Sequence, residues 1–153
     1  KPFSKVDSQK LFASIDGKIS RERQPIFNFS PSITHVVSSE KNAKIAGVNK
    51  FIGFSRVDLE WLELKFEKGT VDFIVSFPPM LSRSSNASKI KKIYMEFFFQ
   101  ANLILQKNGR VVLAARDAEA LEGAAKNHGF RIDSTLEFSM GAEKRVALVF
   151  VRK

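Results

Sequence analysis

From residue 71 onward, short apolar runs alternate with stretches of helical periodicity, which restricts this part of the chain to a mostly parallel sheet covered by helices. The first run, Val71-Asp72-Phe73-Ile74-Val75-Ser76, is rich in strand formers and is stopped by Phe77-Pro78-Pro79, since proline cannot continue a central ladder. Over 86–106, Ile90, Ile93, Phe97, Ala101 and Ile104 recur at helical spacing. Lys107-Asn108-Gly109 then predicts a helix stop with a left-handed glycine cap, followed by a strand over 110–115. Asp117 is a candidate cap for a helix to about Asn127, which His128-Gly129 ends before a strand over 130–138. Met140-Gly141-Ala142-Glu143 predicts a turn, and the run 145–151 should return antiparallel to the strand before it.

The earlier residues follow the same grammar. A helix is expected over 8–15 with Gly17 near its end, a polar link over 20–24, and a strand over 25–29. Ser30-Pro31 pairs a capping hydroxyl with a proline suited to the first helical position, so a helix should start there. Ile33, Val36, Val37, Ala43 and Ala46 give that helix a core side, Gly47 ends it, and 51–57 is the next strand. The polar stretch Leu81-Ser82-Arg83-Ser84-Ser85-Asn86-Ala87-Ser88 follows a strand end, where open α/β sheets bind ligands, and is a candidate substrate contact.

At 153 residues, 44% hydrophobic and 27% charged, the sequence is sized for one folded domain spanning 1–153, with no apolar run near the roughly 20 residues of a membrane helix. An intracellular, cytoplasmic location is expected, and a start at Lys1 reads as the C-terminal part of a longer protein. The absence of cysteine removes disulfides and thiolate chemistry, and two histidines without supporting carboxylate spacing argue against a metal site. A net charge of +9 suits a phosphate polyanion, with plain solubility charge as the alternative.

The order of strand, Pro-Pro, polar loop, long helix, strand and final hairpin resembles the class I S-adenosylmethionine-dependent methyltransferases. Asn42-Ala43-Lys44-Ile45-Ala46-Gly47-Val48, the strand leading to Asp58, the run from Val71 to Pro79, and Tyr94-Met95-Glu96-Phe97-Phe98 are together similar to the THUMP-associated tRNA guanine-N2 methyltransferases. The resemblance implies a Rossmann-like three-layer sandwich whose first strand is missing from 1–153. It also implies S-adenosylmethionine as cofactor, tRNA as partner, and an upstream THUMP domain or a partner chain.

Carried over residue by residue, the same resemblance predicts a degraded site. The glycine-rich cofactor loop has its nearest match in Lys1-Pro2-Phe3-Ser4-Lys5-Val6-Asp7-Ser8, where Lys5 and Asp7 replace the two glycines that allow close backbone approach. Ser30 stands where the family carries an acid against the ribose hydroxyls, and serine cannot supply charge-assisted bidentate bonds. Asp58 falls where an acid meets the adenine amino group, its alternative role being to cap the turn before Trp61. The catalytic motif reads Phe77-Pro78-Pro79-Met80. Phe77 has no lone pair for the target amine, and Met80 replaces the stacking aromatic. A one-residue slide would make Ser76 the acceptor but would put the prolines out of step.

These departures lead to the expectation of a methyltransferase-like domain with impaired cofactor binding that serves RNA binding or scaffolding. An active tRNA guanine-N2 methyltransferase and a protein-interaction subunit without RNA remain as alternatives. Arg83, Lys89, Lys91 and Lys92 are the candidate nucleic-acid contacts, since lysines at a helix start oppose the helix dipole and suit an anionic partner. Asp58, Glu60, Glu63 and Glu67, interleaved with Lys65 and Lys68, read as a solvated helical face. Phe97, Phe98 and Phe99 are assigned to core packing, Trp61 and Tyr94 to amphipathic boundary positions, and His35 to a satisfied or exposed imidazole on its helix.

Overall fold

The computed structural model describes residues 7–18, 24–80, 86–116 and 118–153. They fall into two compact units, Lys1–Ser55 and Arg56–Lys153. The expected cap at Asp117 lies outside the described residues.

In the N-terminal unit, helix α1 (Ser8–Asp16) begins with the Asp7 carboxylate accepting a hydrogen bond from the Lys10 N–H at 3.2 Å. Strand β1 (Ile26–Ser30) leads to helix α2 (Ile33–Ile45), and β1 pairs with β2 (Ile52–Arg56). Helix α2 starts later than Ser30-Pro31 predicts. The Ser30 hydroxyl accepts from the Ser32 N–H at 3.2 Å, which turns the chain, and Ser32 takes the cap position with Pro31 left outside. The helix ends as the sequence predicts, with Gly47 at a φ of 72° that a side chain would strain.

The C-terminal unit opens with a 3-10 turn (Leu59–Lys65). Strand β3 (Val71–Ser76), helix α3 (Ala87–Ile104), strand β4 (Leu105–Ala115), helix α4 (Glu119–Asn127), and strands β5 (Phe130–Met140) and β6 (Glu143–Arg152) follow. The sheet order is β3-β4-β6-β5. Strands β3 and β4 run parallel, and Ile74 lies opposite Val111 and Ser76 opposite Leu113. The hairpin returns as expected, and β6 inserts antiparallel between β4 and β5.

The core of this unit keeps Ile90, Ala101 and Ile104 of the expected stripe of α3 but runs through Tyr94 and Phe98, leaving Ile93 and Phe97 partly buried. Phe98 on α3, Val111 and Leu113 on β4, Leu121 and Ala125 on α4, Phe130 on β5, and Leu148 and Phe150 on β6 are buried together. The Phe98 ring sits 5.5 Å from that of Phe130 and 5.0 Å from that of Phe150, within the range of favourable tilted aromatic pairs. Of the three consecutive phenylalanines, Phe97 is partly buried against this cluster while Phe99 is exposed beside His128. Successive helical positions point about 100° apart, so one face cannot bury all three.

The reading of Lys107-Asn108-Gly109 as a helix stop is corrected. Helix α3 gives way to β4 directly at Leu105, and the Arg152 guanidinium donates to the carbonyls of Asn102 and Leu105, each at 2.6 Å. Those bonds satisfy carbonyls that a left-handed cap would otherwise serve. Gly109 lies inside β4 instead, where an added Cβ would stand 2.6 Å from Leu105 Cγ and 3.0 Å from the Asp72 carbonyl oxygen. The chain bulges here: a step from Val71 to Phe73 on β3 is matched by a step from Leu105 to Arg110 on β4.

Candidate functional site

Strand β3 delivers the Pro-Pro segment to its carboxyl end. Ser76 is the last ladder residue and half-buried, Phe77 is 50% exposed, Pro78 is buried, and Pro79 is exposed with its carbonyl turned to α3. There the Tyr94 hydroxyl donates to the Pro79 carbonyl oxygen at 2.6 Å. Tyr94 is 4% exposed, so the boundary role expected for it is corrected: its ring joins the core and its hydroxyl fixes the Pro-Pro loop.

A second feature of the same unit is a cleft of about 270 Å³ lined by Arg56, Val57, Asp58, Trp61, Leu64 and Lys65. Asp58 precedes the 3-10 turn in extended conformation, and its backbone carbonyl accepts from the Trp61 N–H at 3.0 Å. Its carboxylate makes no capping hydrogen bond. Asp58 thus holds the N-cap position of the turn through its backbone alone, and an exposed carboxylate stands beside an exposed indole. Trp61, expected at an amphipathic boundary, forms the cleft wall with Leu64.

The turn that carries Trp61 is tied to α3 by Gln100. Its side-chain oxygen accepts from the Glu63 N–H at 2.9 Å, and its amide nitrogen donates to the Glu60 carbonyl at 3.2 Å and to Glu96 Oε1 at 2.9 Å. No sequence signal pointed to Gln100, because a lone glutamine among apolar helical positions carries no recognisable motif.

The cationic candidates lie at the start of α3. The Asn86 side chain caps the helix by accepting from the Lys89 N–H at 3.1 Å, and no acidic residue occupies the first turn. Lys89, Lys91 and Lys92 are exposed. Arg83 and the first six residues, including Lys5, lie outside the described residues. Asp7, one of the two glycine replacements, caps α1. Ser30 belongs to the N-terminal unit, where its hydroxyl is bonded to the Ser32 N–H.

A parallel β3-α3-β4 crossover followed by a hairpin whose last strand inserts beside β4 is the carboxyl half of a Rossmann-like class I methyltransferase sheet. Solved structures with this fold include SMU.472 in complex with SAH, at a TM-score of 0.72 and 17% identity over 98% of this chain. TrmN from Thermus thermophilus matches at 0.68 and 22% over 84% of the chain. The ribosomal protein L11 methylase from Lactobacillus delbrueckii subsp. bulgaricus matches at 0.61 and 19% over 95%. The chain spans 38% of SMU.472, 36% of TrmN and 65% of the L11 methylase. The model of the UPF0020 family, the RMKL-like methyltransferase domain, matches residues 8–145, and the chain belongs to that family.

The cofactor of such folds, S-adenosylmethionine, supplies a sulfonium methyl group when bound. The described residues fit part of it. The cleft, at about 270 Å³, lies just below the roughly 300–1,000 Å³ of drug-sized sites and is open to solvent, so it suits a fragment such as the base and not the whole molecule. Asp58 offers an acceptor for an exocyclic amine and Trp61 a flat face for a base. The Ser30 hydroxyl, already engaged with backbone, offers a ribose nothing comparable to a carboxylate.

Proposed function

We propose that this domain uses the methyltransferase fold to bind RNA of the tRNA class, with impaired grip on S-adenosylmethionine and without methyl transfer through its own Pro-Pro motif. The observation that carries this reading is Phe77. A half-exposed phenyl ring stands where the target amine would need a lone pair, directly before the buried Pro78. Ser76 becomes the acceptor only if the motif is slid by one residue, which puts Pro78 and Pro79 out of step with the family. The Pro79 carbonyl accepts from the Tyr94 hydroxyl, which holds the Pro-Pro segment against α3.

In this reading Lys89, Lys91 and Lys92, together with Arg83, meet the phosphate backbone, while Asp58 faces the amino group of a base seated on Trp61. By the family resemblance Ser30 stands at the ribose-binding position, where a serine supplies no charge-assisted bonds, and weak affinity for S-adenosylmethionine is the expected result.

The test combines tRNA binding with methyl transfer from radiolabelled S-adenosylmethionine. The expected result is salt-sensitive tRNA binding without turnover. Lys89→Gln, Lys91→Gln and Lys92→Gln together should lower the salt slope by about 0.9 for each phosphate that is no longer neutralised. Turnover on tRNA would establish the second reading, a working guanine-N2 methyltransferase, for which the uncapped Asp58 carboxylate speaks. Absence of tRNA affinity at low salt would point to a protein-interaction subunit.

A further inference from the structure

We infer that Gln100 is a positioning residue for the Trp61 cleft, an inference that rests on the nucleoside reading of that cleft. Gln100 is 2% exposed on α3, among apolar neighbours Phe98, Ala101 and Ile104. Leucine would fill the same volume without bringing an amide out of water, so packing alone does not call for glutamine. Its three hydrogen bonds account for the amide.

Two of them grasp the backbone of the 3-10 turn at Glu60 and Glu63, on either side of Trp61. The third, to Glu96 one helical turn earlier, engages the NH₂ group and so holds the amide with its oxygen toward the Glu63 N–H. The turn needs such an anchor. It runs for seven residues, whereas 3-10 segments longer than about three or four are uncommon. None of its residues is buried, and its closing bond from the Phe66 N–H to the Glu63 carbonyl is long at 3.4 Å. Because Trp61 and Leu64 line the cleft, the amide sets where the cleft wall stands relative to Asp58.

Trp61 is the sole tryptophan of the sequence, so its fluorescence reads the turn without any ligand. In Gln100→Leu, Trp61 anisotropy should fall and the affinity for S-adenosylhomocysteine, measured by calorimetry, should weaken about tenfold, the scale of one anchoring hydrogen bond. The salt dependence of tRNA binding should hold, because Lys89, Lys91 and Lys92 are untouched. Gln100→Glu keeps the acceptor for Glu63 but sets a carboxylate against Glu96. Adding Glu96→Gln to that variant restores a donor facing position 100 and should recover part of the anisotropy, the donor to the Glu60 carbonyl remaining lost.

A folded Gln100→Leu protein with unchanged anisotropy and affinity overturns the inference. If that variant does not fold, equal anisotropy in Gln100→Glu and its Glu96→Gln partner overturns it instead. A wild-type protein that binds no S-adenosylhomocysteine overturns the nucleoside reading, and the anisotropy series then decides the anchor by itself.

Discussion

Helices α1 and α4 are both nine residues long and both amphipathic, yet they end differently. In α4, Leu121, Ala124 and Ala125 are buried in the core beside Phe98 and Phe130. In α1, the larger side chains Leu11, Phe12 and Ile15 are all exposed, and no residue of the helix is buried. An apolar stripe makes a helix able to pack. Whether it does depends on a complementary surface, and two alanines on a formed core bury more completely than a phenylalanine without one.

The comparison can be broken first on its packed side. Leu121→Ala removes a side chain that is fully enclosed and should cost about 2–5 kcal/mol of unfolding free energy in urea titration. A value near zero would mean that α4 packs no better than α1. The packed region should resist added volume as well. Gly109→Ala places a methyl group against Leu105 and the Asp72 carbonyl and is expected to cost about 1–3 kcal/mol, measured the same way. The smallest effect belongs to α1, where Phe12→Ser should change stability by no more than about 0.5 kcal/mol. A loss comparable to that of Leu121→Ala would show that Phe12 is buried in solution.

Much of the fold was legible because periodicity and punctuation agree. Val71 to Ser76 with its prolines, the spacing of Ile90, Phe97 and Ile104, and Gly129 ahead of the last hairpin each have one simple reading, and the structure follows it. The sequence misleads where a remote partner decides. Gly109 looks like a helix cap because nothing nearby reveals that Arg152 serves the carbonyls at the end of α3. Ser30-Pro31 looks like a helix start because the hydrogen bond that spends the Ser30 hydroxyl lies on the turn itself.

The candidate site was legible as chemistry more than as geometry. Phe77 and Asp58 were singled out through the family resemblance, and the lysines of α3 through their charge at a helix start. Tyr94 and Gln100 could not, since their roles arise from partners 15, 37 and 40 residues away. Trp61 was visible as an exposed aromatic, but its place in a cleft wall depends on the turn that Gln100 holds.

The arrangement of β6 between β4 and β5 bears on the route by which this sheet assembles. Strands β5 and β6 meet through a tight turn at Gly141, a local closure that takes about 1–10 μs in isolated hairpins. Joining β4 to β3 must wait for the eighteen-residue helix α3 to cross over. Local contacts close with less loop entropy than distant ones, so the turn of β5 and β6 is expected to form ahead of the β3–β4 crossover, an order that φ-values at Phe138 and Ile74 would check.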